Sequence, residues 1–126
     1  MKKLLLIGLF LLFSLPSFSQ ALENGVYKSN ITIYSGETQK TYAYTFYVIG
    51  GVVSQVSEPA VSVTRTLGDT TVFSWLNSGG IWTESQTFVF TKNKTTGDLY
   101  VTTTRVVQNE GQEPWQTFGL GKVYKY

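Results

Sequence analysis

Cysteine and histidine are both absent from this 126-residue chain, and proline occurs only three times. Without cysteine there is no disulfide scaffold, no thiolate nucleophile, no cysteine-ligated zinc and no cysteine-linked lipid anchor. Without histidine there is no Ser-His-Asp triad and no imidazole base or metal ligand. No stretch carries apolar residues at the i, i+3, i+4, i+7 spacing over three turns, so amphipathic helices are missing too. The length allows one domain.

What is present begins with a targeting pattern. Met1-Lys2-Lys3 is a short basic start, Leu4 to Leu15 is an unbroken run of twelve residues dominated by Leu and Phe, and Pro16-Ser17-Phe18-Ser19 follows with small residues at the −3 and −1 positions of a cut after Ser19. This is the layout of a secretory signal peptide. The run stops short of the about 20 apolar residues that span a bilayer. Residues 1–19 are therefore expected to be a leader and residues 20–126 a single exported domain, secreted or periplasmic, with no membrane span. Ser-Phe-Ser before Gln20 resembles the cleavage regions of Bacteroidetes-type bacteria. Ten Lys and Arg, less Lys2 and Lys3, then balance eight Asp and Glu. A neutral domain has no electrostatic reason to seek nucleic acid or an anionic membrane.

The remainder is rich in Thr, Val, Ile, Tyr, Phe and Trp, the residues that favour strands. Turn-forming clusters divide it into eight segments: Val26–Tyr34, Thr41–Ile49, Val52–Ser57, Val61–Thr66, Thr70–Leu76, Ile81–Thr91, Leu99–Val107 and Trp115–Tyr126. Gly50-Gly51 is a strong signal for a tight hairpin. Short loops force antiparallel neighbours, which predicts an eight-stranded up-and-down meander closing as a small barrel. A two-sheet β-sandwich is the alternative.

Matching apolar rows suggests a register. Phe90 opposite Leu99, Phe88 opposite Val101, Trp82 opposite Val107 and Glu84 opposite Arg105 align the sixth and seventh strands. Trp75 opposite Trp82 and Phe73 opposite Glu84 align the fifth and sixth. Phe118 opposite Thr103, Leu120 opposite Val101 and Gln116 opposite Arg105 align the last pair. One buried face results: Phe73, Trp75, Trp82, Phe88, Phe90, Leu99, Val101, Val107, Phe118 and Leu120. Trp115 falls in the opposite phase and is expected to point outward. In the second strand, Tyr42, Tyr44, Phe46 and Val48 compete with Ala43, Tyr47 and Ile49 for the inner face.

The polar residues that fall on this apolar face are Glu84, Gln86, Thr103, Arg105 and Gln116. Few polar groups converging among aromatic side chains is how small-molecule sites look. With Trp75 and Trp82 they form the candidate ligand site, and a structural Glu84–Arg105 pair is the plainer reading. Trp115, Tyr42, Tyr44 and Tyr47 are candidates for stacking on a glycan. Catalysis finds little support. Glycoside hydrolysis needs two facing carboxylates, and Glu84 is the one acid placed within a strand. No Asp-x-Asp pair and no phosphate loop occurs, and no cofactor is implied.

Gly25-Val26-Tyr27, near the start of the exported chain, is similar to the Gly-x-Trp that plugs the barrel floor in calycins, the lipocalin- and avidin-type barrels. The resemblance implies an eight-stranded barrel that binds a small apolar or amphipathic ligand without catalysis. The alternative function is a surface protein that binds glycan or a protein partner through exposed aromatics, or serves a purely structural role in the envelope.

The leader carries a direct test. Intact-mass analysis of exported material is expected to give residues 20–126, with or without cyclisation of Gln20; full-length chain in the inner membrane would refute it.

Overall fold

All eight segments are strands in the computed structural model, which describes residues 22–57 and 61–126. The expected leader and its cleavage point lie outside the described residues. The strands are β1 (Gly25–Ser35), β2 (Thr38–Ile49), β3 (Val52–Ser54), β4 (Val61–Leu67), β5 (Thr70–Ser78), β6 (Trp82–Lys92), β7 (Leu99–Asn109) and β8 (Trp115–Lys125). They form one antiparallel sheet in the order β3-β2-β1-β8-β7-β6-β5-β4. Pairing of β1 with β8, Ser29 opposite Val123 and Ile33 opposite Gly119, rolls the meander into a nearly closed barrel. It is a barrel and not a sandwich, because every consecutive pair except β3 and β4 shares a ladder and one sheet holds all eight strands. At the β3–β4 seam the Val53 N–H donates to Thr64 Oγ1 at 3.1 Å. Among the described residues there is no helix.

Gly50 and Gly51 make the tight β2–β3 turn with φ of 59° and 78°. Two successive positive φ values suit a strand-matching two-residue turn and are strained for any side chain.

The other turns set registers that differ from the expected ones. Asn93 Oδ1 accepts the backbone N–H of Thr95 and Thr96 at 2.9 and 3.1 Å, and Asn93 and Asp98 pair through the backbone. The loop is thereby tighter than expected. Phe90 lies opposite Val101, Phe88 opposite Thr103 and Gln86 opposite Arg105, a shift of two residues that keeps the buried face but changes every partner. Glu84 is opposite Val107 and reaches Arg105 diagonally. Between β5 and β6, Asn77 and Ser78 stay in the ladder and the turn is closed by Gly79 N–H to Trp82 C=O at 2.9 Å. Trp75 consequently faces Gln86, not Trp82, and Phe73 faces Phe88, not Glu84.

The last pair slips by one residue, which turns the strand over. Gly119 faces Thr103, Gly121 faces Val101 and Thr117 faces Arg105. Thr117, Gly119, Gly121 and Val123 point inward. Gln116, Phe118 and Leu120 point outward, and the last two are 58% and 52% exposed. The reason is space. A Cβ on Gly121 would sit 2.6 Å from the Asn30 carbonyl oxygen, and one on Gly119 would sit 2.8 Å from that of Thr32. Strand β8 runs too close to β1 to hold side chains at these inner positions, and Phe118 instead stacks on Tyr34 outside, centroids 5.3 Å apart.

The interior is filled by rings. Phe46, Phe73, Phe88 and Phe90 are fully buried with Ile31, Val48, Val53 and Val101. Phe46 meets Phe88 and Phe90 edge-on, each with centroids 5.0 Å apart. Such pairs add about 0.5–1.5 kcal/mol beyond area burial. The inner phase of β2 is therefore Tyr44, Phe46 and Val48, with Ile49 exposed. Trp82, expected in the core, is partly exposed at the β5–β6 turn.

The glycine wall is testable by urea unfolding. Gly121→Ala is expected to lower stability by about 1–3 kcal/mol, the usual cost of overpacking. Leu120→Thr on the outer face should change it by no more than about 0.5 kcal/mol. The reverse order would place β8 the other way round.

Candidate functional site

The two ends of the barrel differ. One is closed. Leu22 is buried there, and the Tyr27 hydroxyl, on a side chain only 4% exposed, donates to the Glu23 carbonyl at 2.8 Å. Lys125 donates to the Glu23 carboxylate at 2.8 Å, and Lys122 pairs with Asp98 at 3.4 Å. These groups rim a hollow of about 360 Å³ that also includes Lys92, Leu99 and Val123.

Their charges are tied to the fold. The hydrogen bond from Lys125 holds the Glu23 carboxyl below the usual range and pushes the Lys125 ammonium above its own. The hydrogen bond that Lys122 donates to Asp98 likewise pushes the Lys122 ammonium above its ordinary value. Burial raises the Tyr27 phenol.

The other end is open. There the odd-numbered inner positions of β1, β7 and β8 meet the even-numbered ones of β2 and β6 above the phenylalanine layer. Ile33, Ser35, Tyr42, Tyr44, Gln86, Arg105, Trp115 and Thr117 line a cavity of about 380 Å³. Arg105 is fixed by Glu84, whose Oε1 receives both Nε and Nη2. The guanidinium also lies over the Trp115 ring, 5.7 Å from its centroid. The Arg105 side chain remains 42% exposed, which leaves it accessible from the mouth. Gln86, at 5% exposure, donates from Nε2 to Thr103 Oγ1 at 3.0 Å. Tyr44 packs edge-on against Phe88 at 5.7 Å and joins the cavity wall to the core.

Of the residues expected to form the site, Gln86 and Arg105 line the cavity, Glu84 holds Arg105, and Thr103 anchors Gln86 from within the wall. Gln116 does not join them, because the one-residue slip of β8 places it on the outer surface. Trp75 packs against the core beside Gln86 without lining the cavity. Trp82 lies against Gly79, whose added Cβ would be 2.4 Å from the indole nitrogen. Trp115, expected outward, is a wall of the cavity instead. The same slip brings in Thr117, which sequence reasoning missed along with Ile33 and Ser35. The alternating glycines of β8 were the available signal, since a glycine within a strand marks close backbone approach. They identify the crowded inner phase, and Trp115 and Thr117 share it.

Among the described residues no three acidic groups gather as a metal site would require. Comparison of the chain with protein-family models, curated proteins and solved structures finds no match.

The closed end predicts a pH response. Below about pH 10 a tyrosine is protonated in folded and unfolded chains alike, and the raised folded value contributes its full stability. As pH rises further the unfolded chain releases its proton first and that stability is lost. Lys125 acts in the same direction over the same window. Glu23 is opposite in sign: its contribution is present above about pH 4.3 and disappears as pH falls. Urea midpoints measured between about pH 8 and 11 should drop above about pH 10, and less steeply for Tyr27→Phe. Parallel slopes would remove Tyr27 from the linkage.

Proposed function

We propose that this protein is an exported, non-catalytic binding module that holds a small amphipathic ligand in the open mouth of its barrel. The observation that carries this reading is the cavity of about 380 Å³, in which Arg105, Gln86 and Thr117 converge between Trp115, Tyr42, Tyr44 and Ile33. Its volume falls within the about 300–1,000 Å³ of ligand pockets, and a mostly apolar lining with a few placed polar groups is their usual make-up. The ligand belongs in the mouth and not deeper, because the phenylalanine layer fills the barrel below it.

What surrounds the cavity supports a binding role. Glu84 is the carboxylate held next to it, and it is committed to Arg105. A facing second carboxylate, as glycoside hydrolysis demands, is not among the lining residues. The burial of Tyr27 at the closed end, held to the Glu23 carbonyl, together with the resemblance of Gly25-Val26-Tyr27 to the calycin floor motif, supports this reading. Because Trp115 shares the cavity with Arg105, binding through an interior site and binding through that exposed aromatic become one site.

The amphipathic dye 1-anilinonaphthalene-8-sulfonate is a suitable probe. It should bind the folded protein at one saturable site. Trp115→Ala and Arg105→Ala should each weaken it, the latter by about 1–3 kcal/mol if a charged hydrogen bond is lost. Lys122→Ala at the closed end should leave it unchanged. Binding indifferent to both mouth variants would defeat the reading.

A further inference from the structure

The polar atoms of the mouth carry a pattern of their own. Gln86 is about nineteen-twentieths buried and spends its Nε2 on Thr103. Its Oε1 receives no hydrogen bond from the described residues, yet no sealed side-chain oxygen or nitrogen among them lacks a partner. Oε1 is therefore open to the cavity that Gln86 lines. Thr117 is 7% exposed, lines the same cavity, and its hydroxyl likewise makes no hydrogen bond to the described residues. Beside them stands Arg105, a donor throughout, held by the acceptor Glu84. Over a small area the mouth offers an acceptor, a hydroxyl that does both, and a guanidinium–carboxylate pair, all next to the exposed rings of Trp115 and Tyr42.

Resting on the mouth-binding reading, we propose that the ligand is a neutral sugar, the terminal pyranose of a glycan or a free mono- or disaccharide. Three ligand chemistries compete, and the donor and acceptor pattern separates them. An aliphatic chain would cover Gln86 Oε1 and the Thr117 hydroxyl and give them nothing in return for water, and buried polar groups left that way are costly. A carboxylate only accepts. It would meet Arg105 with two of its nitrogens already on Glu84, and would lie beside both that carboxylate and Gln86 Oε1. The turns at this end add Glu37, Glu110 and Glu113, and Lys40 of β2 stands opposite Ile33 of the cavity wall. A hydroxyl both donates and accepts. Adjacent hydroxyls of one ring can give a proton to Gln86 Oε1, exchange with Thr117 and accept from Arg105, and the C–H face of the ring can lie on Trp115 and Tyr42. The ring faces of these two residues are apolar surfaces set at the edge of water, the position in which aromatic residues contact amphipathic partners.

The test is calorimetric titration of the chain of residues 20–126 with methyl glycosides of glucose, galactose, mannose and N-acetylglucosamine, and with neutral di- and trisaccharides built from them. Glucuronate, decanoate and the anilinonaphthalene dye serve as anionic and apolar comparisons. At least one neutral sugar should bind saturably and displace the dye, and glucuronate should bind more weakly than the matching neutral sugar. Trp115→Ala and Thr117→Val should each weaken sugar binding about ten-fold, with Lys122→Ala unchanged. Gln86→Leu should do the same, and if its loss of the Thr103 bond prevents folding, Thr117→Val carries the argument alone. Dye or decanoate binding that depends on Trp115, with no neutral sugar bound, overturns the sugar and leaves the mouth site standing. Dye, decanoate and sugars all indifferent to the mouth variants overturn both.

Discussion

An eight-stranded barrel is just wide enough for side chains to fill it, and here four phenylalanine rings meet at its middle. Phe46, Phe73, Phe88 and Phe90 come from three strands, and their edge-on and stacked contacts tie the two halves of the meander together. The rest of the molecule adjusts to that layer. Strand β8 gives up side chains at Gly119 and Gly121 so that the wall can approach β1. Phe118 and Leu120 of β8 are turned to the outside as a consequence. In a chain without disulfides, this ring layer and the β1–β8 ladder hold the barrel together.

The layer also divides the interior. Below it the chain closes the barrel with Leu22, Tyr27 and two lysine–carboxylate pairs. These pairs are largely exposed and contribute little individually. Above it the strands run on past the rings without filling the space between them. The inner phase carries Gln86, Arg105, Glu84 and Thr117 towards the mouth, and Ser29, Thr71 and Thr103 are buried polar residues of the same phase outside the cavity. A cavity lined by aromatic rings and by Gln86, Arg105 and Thr117 is what remains.

The ion pair at this mouth is diagonal, Glu84 to Arg105, with Gln86 directly opposite Arg105. That offset has chemical meaning. Directly opposed, the two charges would form a closed pair across the strands. Offset, Arg105 is drawn towards Glu84 while Trp115 covers one side of it, and Gln86 occupies the place beneath. Arg105 is the link, since it alone touches both Glu84 and the Trp115 ring.

Strand number and the antiparallel meander were legible in the residues, whereas β2 starts three residues before its expected Thr41 and β3 ends three residues before its expected Ser57. Thr, Val and aromatic runs broken by Gly50-Gly51, Gly68-Asp69 and Gly97-Asp98 leave little choice, since backbone preferences act locally. The grouping of Phe73, Phe88, Phe90 and Val101 on one face was legible for the same reason: alternation has a period of two, and a register error of two residues preserves it. What alternation does not contain is the pairing itself. Asn93 tightens its loop with a side-chain oxygen, and Trp82 closes a turn over Gly79, so each hairpin begins elsewhere than the glycines alone indicate. The last strand shows the limit most clearly. Phe118 and Leu120 are more hydrophobic than Gly119 and Gly121, and hydrophobicity alone sends them inward. Only the closed barrel, with β1 pressed against β8 and the rings already filling the centre, makes volume outweigh hydrophobicity there. That decision put Gln116 outside and placed Trp115 and Thr117 in the mouth, because the side chains of a strand turn over together.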